Sequence, residues 1–228
     1  VAYQQGNLNE AYQKLNESLK IWRPVGDPRG LVFCMLYMGM TALALQDLTA
    51  TRSILLESNQ IAEANMDRWA YAFGLDMLGM VALAQGQNEE ALEYFQHSIA
   101  LSKEIGDQLN GTQTMIHMGQ AYAALRHENE AKRVFLEAYA NAQSSKWTPI
   151  LLNAFLSYVE TQPTLPVETK LAAALSILSH SSITSNLRAR SECLRNEITS
   201  MLKSQELENA EKLAGDKSAE VLAQEIMK

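Results

Sequence analysis

The sequence predicts an all-α fold in which helical hairpins of equal length stack in series and end in a helical cap. Three observations carry that expectation. Residues 82–107, "ALAQGQNEEALEYFQHSIALSKEIGD", restate a looser copy at residues 6–27, "GNLNEAYQKLNESLKIWRPVGD". Set against itself at an offset of 40, the chain places Gly6, Gln46, Gly86 and Arg126 in one column and Ala11, Thr51, Ala91 and Ala131 in another. Leu15, Leu55, Phe95 and Phe135 also coincide, as do Ser18, Ser58, Ser98 and Ala138, and Gly39, Gly79 and Gly119. Five columns of matched chemistry in one register mark a repeat array.

Each repeat reads as two helices. Apolar residues recur at helical spacing, without internal proline, over 31–45, 70–85 and 111–125, the first helices of successive units. The same spacing over 11–22, 50–64, 89–103 and 130–143 gives the second helices. Gly6 and Gly86 stand where a first helix must end in a left-handed residue, and Gly26 and Gly106 where a second helix must. Asp27, Asp67 and Asp107 follow as N-caps for the next helix. Gly39, Gly79 and Gly119, with Ala11, Ala91 and Ala131, are expected to let paired backbones approach while Leu15, Leu55, Phe95 and Phe135 fill the space beside them.

A fourth unit begins at Trp147 and Thr148 and is stopped by Pro163 and Pro166. Beyond it, Leu171, Leu175 and Leu178 mark one amphipathic helix, and Leu187, Leu194, Ile198, Met201 and Leu202 a second, with shorter segments at 207–214 and 219–227. The last repeat of a solenoid cannot leave its apolar face wet, so this tail is expected to cap it. The resulting division is repeats over 1–160 and a cap over 161–228.

The motifs resemble the tetratricopeptide repeat. The Leu78-Gly79 pair matches the family's pattern, with Met38-Gly39 and Met118-Gly119 as variants. Its Ala, aromatic and small-residue triplet is kept as Ala91, Phe95 and Ser98, and as Ala131, Phe135 and Ala138. The aromatic three places after the glycine survives only as Tyr122, with Ala42 and Ala82 elsewhere. The period exceeds the usual value of about 34, so each helix should run almost a turn longer. That lengthened form, and the stretch 172–202, resemble the repeat regions of large bacterial signalling ATPases and transcription regulators of the maltose-regulator kind.

The resemblance implies a right-handed superhelical solenoid whose first helices line the concave side. The positions matching the family's ligand-contacting columns are Phe33, Leu36, Met40, Phe73, Asp76, Met80, Gln113, Ile116 and Gln120. Methionine and phenylalanine there suit an apolar or helical peptide. The Lys, Asn and Arg of a carboxylate clamp are not in these columns. Arg68 and Trp69 fall in a connection between units, where Trp69 either anchors a partner or covers the junction.

Composition narrows the function further. At 47% hydrophobic and 20% charged, the chain can bury a large core. A net charge of −7 with scattered Lys and Arg argues against a surface that tracks nucleic-acid phosphates. No apolar run approaches the roughly 20 residues needed to span a bilayer, and no signal-peptide pattern opens the chain, so a cytoplasmic location is expected. Cys34 and Cys193 lie within helical apolar patterns and read as small core residues of a reducing compartment.

His97, His117, His127 and His180 lack metal-site spacing, and no phosphate loop, nucleophile elbow or zinc-protease motif occurs. Neither an enzyme nor a cofactor is expected. The chain opens on Val1 rather than Met, and Ala2 falls where a helix should already be ending, so it is expected to be part of a longer protein. The expectation is a non-catalytic protein- or peptide-binding module, the sensor or scaffold of a larger cytoplasmic signalling or transcription-regulatory protein. The alternative is self-association, or autoinhibitory packing against upstream domains of the same chain.

Overall fold

A computed structural model describes residues 7–227; Val1, Ala2 and Gly6, and the expectations placed on them, lie outside the described residues. Among the described residues the structure is entirely helical, with twelve helices and no strand. Helices α1 (Leu8–Val25) to α8 (Thr148–Thr161) form the hairpin series, with α2 (Pro28–Ala44), α4 (Arg68–Ala84) and α6 (Gln108–Ala124) as first helices. The second helices are α1, α3 (Leu48–Ala64), α5 (Asn88–Ile105) and α7 (Glu128–Ser144). Within each unit, helices that follow one another in the chain pack on one another.

The punctuation follows backbone chemistry. Gly26, Gly86 and Gly106 hold left-handed φ values of 73°, 75° and 74°. Gln46, Met66, Arg126 and Lys146 hold the same conformation at φ values of 56° to 62° without being glycine. A left-handed residue thus recurs at 26, 46, 66, 86, 106, 126 and 146, once per helix. One residue later, Asp27 accepts from the amides of Arg29 and Gly30, Asp67 from Ala70 and Asp107 from Asn110. Asp47 caps α3 in the same way, through the Ala50 amide.

The chain forms two compact units, Val1–Ala121 and Tyr122–Lys228. The last hairpin, α7 and α8, is grouped with the terminal helices rather than with the earlier repeats.

In the first unit, first helices are enclosed on more sides than second helices. Ten α4 residues are buried, from Ala70 to Ala82, because α2, α3 and α5 all pack on it. Only five α3 residues are buried, and they share one stripe. At Gly39 and Gly79 the space a Cβ would take is filled by a side chain from the second helix. A Cβ on Gly39 would lie 2.8 Å from Leu55 Cδ2, and one on Gly79 would collide with the Phe95 ring. Leu55 and Phe95 are both fully buried.

In the second unit, α9 (Val167–Leu178) packs on α8, α10 (Ser185–Thr199), α11 (Ser204–Asp216) and α12 (Ala219–Ile226). Leu152, Phe155 and Leu156 of α8 are thereby enclosed with Leu171, Ile177 and Leu222. Arg190 fastens α10 to α8, donating to Asn153 Oδ1 at 2.6 Å, to Ser157 Oγ at 2.9 Å and to the Glu160 carboxylate. His180 Nε2 lies 2.8 Å from Glu220 Oε1, and Tyr139 Oη donates to the Glu220 carbonyl, so α12 folds back onto the unit. Cys34 is buried, and its Sγ donates to the Leu15 carbonyl. Cys193 is exposed, a correction to its reading as a core residue: it borders an open recess with Glu160, Val167 and Lys170.

Candidate functional site: an exposed aromatic row

The first unit carries a stack of aromatic rings across α2 and α4. Phe33 and Trp69 stack at 5.6 Å between centroids and 15° between planes; Trp69 and Phe73 stack at 5.5 Å and 8°. Tyr37 adjoins Phe33 at 6.4 Å. Helical spacing builds the row: Phe33 and Tyr37 are four apart on α2, and Trp69 and Phe73 four apart on α4, so each pair shares a face. Water reaches three of these rings, with Phe33 45%, Tyr37 50% and Trp69 39% exposed. The three stacked rings cost little entropy to hold, since each restricts the rotamers of its neighbour.

Beside the row opens a recess of about 810 Å³, bordered by Arg29, Phe33, Met66, Arg68, Trp69 and Ile105. Met66 is 86% exposed and stands on a left-handed backbone. The recess therefore combines apolar surface, cationic side chains and a rim fixed by three helix starts.

The expected groove positions fall into two groups. Phe33 is exposed, while Met40, Phe73, Met80, Gln113 and Gln120 are half-buried and reach the surface. Leu36 and Ile116 belong to the packed core, and Asp76 is enclosed against His117. Asp76 Oδ1 lies 2.8 Å from His117 Nδ1, and Gln113 Nε2 lies 3.1 Å from His117 Nε2. The row from Phe73 to Gln120 is thus a packed surface with a polar bridge beneath it. Trp69, read from the sequence as a feature of the inter-repeat connection, instead joins Phe33 and Phe73 in one stack. The signal was the interval of 36 between Phe33 and Trp69, one period less one helical turn.

Among the described residues, no three His, Cys, Asp or Glu side chains converge as a metal site requires, and no helix is long and apolar enough to cross a membrane. Burial pushes the Cys34 thiol above its ordinary pKa, so it is held as an inert thiol.

Residues 71–144 match the tetratricopeptide repeat. The solved structures extend the likeness across the chain. BtubC (BKLC) from P. vanneervenii has a TM-score of 0.68 at 14% identity, covering 96% of this chain and 92% of that one. A structure of putative kinesin light chain nearly identical TPR-like repeats from Podosopora anserina has a TM-score of 0.57 at 13% identity, covering 88% of this chain and 89% of that one. At such identities the likeness is one of fold. None of the curated proteins compared with this chain matches it in sequence. Tetratricopeptide repeats serve in general as scaffolds for protein interaction.

Proposed function

We propose that this chain is a non-catalytic module that binds a protein or peptide, and that it is the sensor or scaffold segment of a larger cytoplasmic signalling or transcription-regulatory protein. The observation that carries the reading is the stacked row of Phe33, Trp69 and Phe73 on two consecutive first helices, with Phe33 and Trp69 open to water. Exposed aromatic rings held rigid in this way are the side chains that dominate interface energetics. Repeats over 1–160 supply the extended surface, and the cap over 161–228 keeps the array's end from sticking to other chains. Met40, Met80, Gln113 and Gln120 continue the same surface along the first helices.

A selection for peptide ligands, followed by titration against Trp69→Ala and against Met40→Glu with Met80→Glu, tests the reading. Ligands that bind the wild type and lose affinity on at least one variant support it. A chain that selects no ligand counts against it.

Self-association is the second reading, favoured by Ile21 and Val25 on α1, which are 66% and 61% exposed. Light scattering separates the two, since a monodisperse monomer at high concentration removes it.

A further inference from the structure

We infer that the polar face of α8 is a binding site for a guanidinium carried on a helix, and that the chain's own α10 occupies it as a detachable strap. The site belongs to the second unit and owes nothing to the aromatic row of the first, so it goes beyond the reading above and can fail without it.

Asn153, Ser157 and Glu160 follow one another at intervals of four and three residues on α8, a spacing that brings the three side chains to one face. Together they make a receptor for one guanidinium. Arg190 Nη1 donates to Asn153 Oδ1 at 2.6 Å, Nη2 donates to Ser157 Oγ at 2.9 Å and to Glu160 Oε2, and Nε donates to Glu160 Oε1 at 3.3 Å. Two bonds to the carboxylate with two neutral acceptors beside it match the planar fork of arginine, which lysine cannot reproduce. Asn153 and Glu160 also stand forty residues after Gln113 and Gln120, and eighty after Phe73 and Met80. On α8, then, α10 takes up the columns through which the earlier first helices are proposed to meet a ligand.

Apart from this clasp, α10 is thinly held. Only Leu187, Ser191 and Ile198 of its fifteen residues are buried, against six of twelve in α9 and eight of fourteen in α8. One of those three weakens the docked state, because the Ser191 hydroxyl is buried without a hydrogen-bond partner. A recess of about 370 Å³, bordered by Val167, Lys170, Leu194 and Met201, lies open beside the helix where a core element would be packed. Other elements anchor both of its ends: His180, in the connection before α10, meets Glu220 of α12, and α11, after it, packs on α9. A helix with so few buried contacts opens before its neighbours do, so α10 can lift from α8 while α9, α11 and α12 stay packed. The partner that replaces it repeats its pattern, a helix with one arginine, a leucine three residues before it and an aliphatic residue eight after.

The test uses the full chain and a fluorescent peptide of α10's own sequence, residues 184–203. Wild-type chain fills the site with a tethered segment at high effective concentration, so the free peptide is expected to bind it weakly. In Arg190→Ala the tethered helix loses its clasp, and the peptide should bind about tenfold or more tightly than to the wild type. The same peptide carrying Arg190→Ala should bind neither chain, and adding Glu160→Gln to the Arg190→Ala chain should abolish binding of the original peptide. Hydrogen exchange without peptide follows the strap directly. Amides of 185–199 should exchange faster than those of α9 in the wild type, and about tenfold faster again in Arg190→Ala with α9 unchanged. Thermal melts establish that the variants fold; Arg190 and Glu160 are 24% and 28% exposed, so neither change opens a core cavity.

A peptide that binds Arg190→Ala no better than the wild type, or equally well without its arginine, overturns the inference. Exchange of α10 and α9 as one unit in wild type and variant makes α10 a fixed cap and overturns it as well. Neither result bears on the peptide-binding reading, which the ligand selection described under that reading decides.

Discussion

Asp76 on α4 and His117 on α6 meet at 2.8 Å, forming a polar link between the first helices of consecutive repeats, with side chains only 5% and 12% exposed. Phe95 packs beside the imidazole at 5.9 Å, so water has little access to replace either partner. His117→Leu leaves the Asp76 carboxylate enclosed without its partner, and a loss of about 3 kcal/mol in unfolding free energy is expected from urea titration. The double change Asp76→Leu with His117→Leu is expected to recover most of that loss, because no orphaned charge remains.

Gly79 accommodates the Phe95 ring. Gly79→Ala is expected to cost about 1–3 kcal/mol, as overpacking forces the fully buried ring to shift. Combining it with Phe95→Leu, the pairing that Gly39 and Leu55 already show, should return part of that stability in a double-mutant cycle.

Met66 holds a φ of 56° where its counterparts at 26 and 106 are glycines. Its side chain is 86% exposed, so its removal forfeits little packing. Met66→Gly is expected to raise stability by roughly 0.5–1 kcal/mol by relieving left-handed strain. Gly106→Ala is expected to lower it by a similar amount. Thermal melts of the two variants, read side by side, check both signs.

Glu220 gives the cap a response to acid. Burial raises the pKa of its carboxyl, but hydrogen bonds from its own backbone amide, His180 and Ser218 outweigh that and hold it below the ordinary 4.5. A carboxylate depressed in the folded state contributes stability that is present above its unfolded pKa, near 4.5, and is lost as pH falls through the lower folded value. Denaturation followed between neutral pH and pH values below 4.5 should show that loss, and Glu220→Gln should flatten it.

Much of this fold could be read in advance because its determinants are local. Asp27, Asp67 and Asp107 sit directly after a left-handed residue and directly before an apolar helix, so sequence order alone reveals their role as caps. Asp47 serves the same purpose, but its counterparts one and two periods on are Gln87 and His127, which make no side-chain cap, so the column offered no repeated cue. The left-handed backbone at Met66 and Lys146 is likewise dictated by hairpin geometry, not by residue type. The candidate site was harder to see. Asp76 and His117 are 41 residues apart, and Phe33 and Trp69 are 36 apart, so neither pair belongs to any one helix or motif. Both pairings arise from the stacking of one hairpin on the next. Cys193 was misread because the apolar stripe of α10 is narrow, and the cysteine lies just outside it.

The even placement of left-handed residues, one for every twentieth position from Gly26 to Lys146, has an evolutionary consequence. Gene duplication or excision of a forty-residue block leaves every cap and ring in its place within its own hairpin, whereas a single residue inserted within a helix turns the rest of that helix by about 100°. Such an array can lengthen or shorten its binding frontage in whole modules without any redesign of the joints.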